Sequence, residues 1–92
     1  MTYTTTVTIE SAIHILSYTV IESSDRHASD PQFKRIFSLS CTLTREYYTV
    51  ESETAKDVCR NEVQANKLAK FLCENTVFPS QLFYILDDLI GV

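Results

Sequence analysis

The spacing of apolar residues changes once along this chain, near residue 60, and that change constrains the fold more than any motif. Before it the period is two, the repeat of a strand; after it the repeat is helical. Tyr3, Thr5, Val7 and Ile9 alternate with Thr4, Thr6 and Thr8, a β-branched run that suits an edge strand. From Ala12 to Ile21 both faces are apolar, with Leu16, Tyr18 and Val20 on one and Ile13, Ile15 and Ile21 on the other. That reads as a central strand, or as one whose outer face meets a partner. Ser23 to Pro31 is polar almost throughout and closes on Asp-Pro, the signature of a loop. Phe33, Phe37, Leu39, Cys41 and Leu43 then face one way and Lys34, Ser38, Ser40 and Thr42 the other, a half-buried antiparallel strand. Thr44–Glu46 carries no Gly or Asn, so a connection longer than a tight two-residue hairpin is expected. A strand at Tyr47–Glu51 should follow, with Tyr48 and Val50 in the core, and a short extended piece at Ala55–Cys59.

Beyond residue 60, Asn61 is placed to cap a helix, with Gln64 three positions on and Glu62 complementing the dipole. Ala65, Leu68, Ala69, Leu72 and Cys73 form its apolar stripe. Asn75 is expected to end it in the left-handed conformation. Pro79 opens a second helix that runs to about Ile90 and stops at Gly91. The expected fold class is α+β: an antiparallel meander of about four strands within residues 3–59, then helices at about 61–75 and 79–90 packed on one face. One domain, 1–92, should bring Leu39, Leu68, Leu72, Leu82 and Leu86 together, with a radius of gyration of ~12 Å.

Composition removes several function classes. A single glycine, Gly91, excludes the Gly-rich phosphate loops and the G-x-S-x-G nucleophile elbow. Eight basic against twelve acidic residues, a formal charge of −4, leaves no electrostatic footprint for nucleic acid. Cys41, Cys59 and Cys73 lack the close pairing of zinc ligands; they read as small buried hydrophobes, and an odd number fits a reducing compartment. His14 reads as a hydrogen-bonded structural residue and His27 as a solvated one, so no nucleophile–base pair stands out. Asp87 and Asp88 diverge by about 100° on a helix and read as its solvated side. The first twenty residues hold no Lys or Arg, and no apolar run approaches the ~20 residues of a bilayer span. A cytoplasmic protein is expected, without cofactor, metal, nucleic acid or membrane.

The stretch Asp57 to Gly91 resembles the end of a family of small uncharacterised clostridial proteins of unknown function. The resemblance rests on the Asp57–Val58 strand end, the capping Asn61, the Cys73–Asn75 segment, and a Pro-x-x-Leu element, Pro79 to Leu82, leading into a helix with Asp87 and Asp88. With Phe33 to Val50 as the preceding strands it covers the C-terminal two-thirds. It implies a cytoplasmic bacterial protein with strands before helices, and no chemistry.

The last helix carries the functional expectation. Leu82, Ile85, Leu86 and Leu89 follow helical spacing, and Phe83, Tyr84 and Ile90 widen the apolar arc beyond what one-sided packing needs. Either the first helix covers the excess or a second molecule does. The leading expectation is a non-enzymatic interaction or self-association module, contacting a protein partner or a second copy of itself through Phe83, Tyr84 and Phe78. The alternative is a small-ligand binder with a pocket between sheet and helices lined by Phe37, Tyr48 and Phe71, with Phe83 beside them.

Overall fold

The computed structural model describes residues 1–27, 29–30 and 34–90. Strands β1 (Thr2–Ile9), β2 (Ala12–Ser24), β3 (Arg35–Arg45) and β4 (Tyr48–Cys59) precede α1 (Glu62–Glu74), a 3₁₀ turn (Pro79–Gln81) and α2 (Leu82–Ile90). The strands form one sheet in the order β1-β2-β3-β4, each pair antiparallel. This is the α+β meander with two C-terminal helices that the periodicity predicts, with β1 at an edge and β2 inside. The expected places of Phe33, Pro31 and Gly91 fall outside the described residues.

Alternation decides which face the helices cover. Leu16, Tyr18, Leu39, Cys41, Leu43 and Ala55 pack with Ala69, Leu72, Val77, Leu82 and Leu86 in one buried cluster, and Leu68 lies partly buried against it. Each such leucine contributes about 1.5–3 kcal/mol by leaving water. The Tyr18 hydroxyl crosses this layer to donate to the Val77 carbonyl at 2.8 Å, and the Cys41 thiol donates to the same oxygen at 3.4 Å. The buried polar tip is thereby satisfied. Much of the opposite face is open: Thr2, Thr4, Thr6, Thr8, Ile13, Ile15, Ile21 and Ser52 are exposed. The long strands stretch the molecule to 51 × 27 × 18 Å, with a radius of gyration of 14.1 Å rather than the value of a sphere-like chain.

Two hairpins close without glycine. Ile9 pairs with Ala12 across Glu10 and Ser11, whose φ values of 50° and 67° are the left-handed pair of a type I′ turn. Arg45 pairs with Tyr48 across Glu46 and Tyr47, with Glu46 at φ 54°. The longer β3–β4 connection expected from the sequence is therefore corrected: the turn is two residues. The extra residue sits instead in a bulge, because Leu43 opposes Glu51 while Thr44 opposes Thr49, leaving Val50 unpaired. A bulge inverts the inside–outside alternation beyond it. Val50, left unpaired, stands 54% exposed, and Tyr48, still opposite Arg45 but beside the turn at the end of the sheet, stands 70% exposed; neither is in the core. Nor is Ala55–Cys59 a separate piece; β4 runs through it, past a second irregularity where the Asp57 amide donates to the buried Ser38 hydroxyl at 3.0 Å.

Asn61 caps α1 as expected, its Oδ1 accepting from the Gln64 amide at 2.9 Å. The other end differs. Asn75 has φ −98°, and it is Thr76 that takes the left-handed conformation, φ 51°. The Val77 amide reaches the Leu72 carbonyl and the Thr76 amide that of Cys73, both at 3.1 Å, which is a Schellman closure. Asn75 uses its side chain instead, donating Nδ2 to the Phe71 carbonyl at 2.8 Å.

Candidate functional site

The surface around α2 is built by the turn that precedes it. Phe78 has no capping side chain; the Gln81 side chain accepts from its amide at 3.1 Å, and Ser80 donates its amide to the Glu51 carboxylate at 2.8 Å. These bonds dock the 3₁₀ turn on β4 and aim α2. Leu82 and Leu86 then face the sheet, 0% and 4% exposed. At about 100° per residue, Phe83 and Tyr84 must point away from it. They are 49% and 77% exposed. Phe78 is half-buried against the core.

Leu89, expected on the inward stripe, is exposed. α1 does not close over this flank of α2. A groove of about 410 Å³ lies there, lined by Phe71, Val77, Ile85 and Leu89 with Asn75, Gln81 and Asp88. On the other flank a smaller groove of about 190 Å³ lies against β4, lined by Ala55, Val58, Phe83, Leu86 and Ile90 with Lys56, Asp57 and Asp87. Tyr84 stands on the crest between the two. Asp87 and Asp88 thus put a carboxylate into each groove, at the helix end whose dipole already repels anions, and no basic residue occupies the last turn.

The expected pocket lining does not converge. Phe37 is buried opposite Cys59, whereas Tyr48 lies opposite Arg45 at the far end of β3, about 26 Å away at ~3.3 Å per residue. Phe71 is on the surface of α1, where it joins the α2 groove instead. Sequence reasoning missed Leu89 and Ile85 as groove residues, since spacing places both on the buried side.

The thiols and imidazoles stay apart. Each cysteine donates to a backbone carbonyl: Cys41 to Val77, Cys59 to Asn61 and Cys73 to Thr4. Burial, with the Glu51 carboxylate adding to it, pushes the Cys41 thiol up to about 12, so it remains protonated and poorly nucleophilic at neutral pH. Buried His14 holds the Ala12 carbonyl through Nδ1 at 3.0 Å, and His27 is exposed. A third, polar cavity of about 500 Å³ near His27 is lined by Ser23, Ser24, Asp25, Arg26 and Arg60 among others. There Arg60 pairs with Asp25 at 2.6 Å and holds that carboxyl below its ordinary range. Arg35 is held between Glu22 and Glu62, and Arg45 lies at the opposite end of β3. The basic residues form no common patch. Among the described residues no cluster of His, Cys, Asp or Glu is arranged to hold a metal ion, and no helix is long and apolar enough to cross a membrane.

A family model matches residues 1–92, the four strands and both helices alike. The chain belongs to DUF6514, a family of unknown function. No curated protein and no solved structure matches it.

Proposed function

We propose that this protein is a non-enzymatic docking module of the cytoplasm that binds another protein through α2. The observation that carries the reading is the exposure of Phe83 and Tyr84 between two apolar grooves, one with Asp87 in its wall beside Lys56 and Asp57, the other with Asp88. Large aromatic side chains are costly to leave in water and dominate interface energetics when desolvated. The occupant that matches this surface is a segment with apolar side chains for the grooves and a basic residue facing Asp87 and Asp88. Grooves of this kind take an amphipathic helix through apolar anchors at helical spacing. Three free cysteines suit a reducing compartment, which supports the cytoplasmic setting.

A benzophenone side chain placed at position 84 and irradiated in the native host tests this. The expected result is a discrete adduct to a second protein, weakened at least several-fold by Asp87→Lys with Asp88→Lys. The same pattern of adducts from position 49, on the exposed β3–β4 tip, would overturn it.

A further inference from the structure

The two edges of the sheet are built differently. The β4 edge carries Glu51, Glu53, Lys56 and Asp57 and is interrupted by two register irregularities. Charges and bulges of this kind keep other strands from adding to an edge. The β1 edge has neither. Thr2–Ile9 pairs with β2 one-to-one without a shift, and the first charged side chain of the chain is Glu10. It is a straight, uncharged, β-branched edge, free of proline.

Register shows which backbone groups this edge offers. The Val20 amide donates to the Met1 carbonyl at 2.9 Å, so Met1 and Val20 are a hydrogen-bonded pair. Antiparallel ladders alternate; Tyr3, Thr5, Val7 and Ile9 therefore spend their backbone groups on β2. Thr2, Thr4, Thr6 and Thr8 direct theirs outward. The Cys73 thiol of α1 donates to the Thr4 carbonyl at 3.5 Å, which leaves that oxygen its second lone pair. α1 packs on β2 and, next, on the helical side of β1, and α2 packs on β4, while all four outward threonines are exposed.

We propose that β1 pairs with β1 of a second copy, antiparallel about Thr5, joining two four-stranded sheets into one of eight strands. A two-fold axis normal to the sheet keeps both helical layers on one side, so odd residues must meet odd and even meet even. The register centred on Thr5 opposes Thr2 to Thr8 and Thr4 to Thr6, so every outward-bonding residue meets another outward-bonding residue. Moving the centre by one residue toward the turn opposes Thr2 to the turn residue Glu10. On the helical side Tyr3 then lies opposite Val7, an aromatic–β-branched pair, and Thr5 opposite itself. A second copy is the occupant because this one segment supplies both strands, and neither brings a charge to the junction. This pairing goes beyond the α2 reading and is independent of it, since α2 stays free at both ends of the joined sheet.

Sedimentation at high micromolar concentration tests the proposal, with thermal melting as the check on folding. The wild-type chain should show twice its single-chain mass. Thr4→Lys with Thr6→Lys sets like charges opposite each other and should return it to one chain, still folded. Thr4→Lys with Thr6→Glu sets opposite charges face to face and should restore the doubled mass. Thr5→Cys, which puts a thiol on each side of the axis, should link two chains through position 5 on mild oxidation. A wild-type chain that sediments singly overturns the proposal. So does a dimer indifferent to both charge variants and unlinked at position 5.

Discussion

Tyr18 and Cys41 converge on the Val77 carbonyl, and their ionisation tells how that contact depends on pH. Burial raises the Cys41 thiol from 9.0 to about 12 and raises the Tyr18 phenol above its ordinary 10.0. Both groups are neutral in the folded chain, and in the unfolded chain they ionise at their ordinary values. A raised folded pKa contributes stability in full below the unfolded pKa; that stability is lost as pH rises from there through the folded value. Stability against urea should therefore be level up to about pH 9 with respect to these groups, then fall by at most about 1.4 kcal/mol per pH unit for each group ionising. Cys41→Ala should lower stability at neutral pH yet remove the earlier part of the alkaline fall. An alkaline slope identical in the variant and the parent would show that the thiol does not contribute to it.

At the scale of elements, the end of α1 carries a conformation its residue does not favour. Thr76 is β-branched and sits at φ 51°, where Cβ crowds the backbone by roughly 1–2 kcal/mol. Glycine adopts that conformation freely and keeps both Schellman hydrogen bonds. Thr76→Gly should therefore raise stability by about 1 kcal/mol, read as a higher midpoint in urea or heat; a lower midpoint would mean that the threonine side chain holds the turn. The same helix end shows why some of the fold is legible in sequence and some is not. Alternation in Tyr3–Ile9 and Phe37–Leu43 marks the buried face directly, because one face of each strand meets the helices. Tyr48 keeps its place opposite Arg45 and is exposed because it lies beside the turn at the end of the sheet, whereas Val50 reads inward only if that alternation continues unbroken into β4. The unpaired residue at Val50 breaks it, and a bulge has no residue signature of its own. Likewise Asn75 is the residue that commonly accepts a left-handed turn, but the helix ran one residue further before closing, and Thr76 took the strain.

For the whole molecule, the width of the apolar arc on the last helix was legible, and so was the place of Phe83 and Tyr84 off its buried stripe. The grooves beside α2 were not. Leu89 and Ile85 carry the spacing of core residues, and only the separation between α1 and α2 leaves them lining a groove. The sheet adds a second asymmetry, an uncharged β1 edge against a charged and bulged β4 edge. On the two proposals, β1 takes a second copy and α2 takes another protein. Sedimentation of the Phe83→Asp, Tyr84→Asp chain beside the wild type tests that division most directly. The expected result is a folded dimer in both cases, because the proposed pairing runs through β1. A dimeric wild type beside a folded, monomeric variant would contradict it and place the second copy on α2.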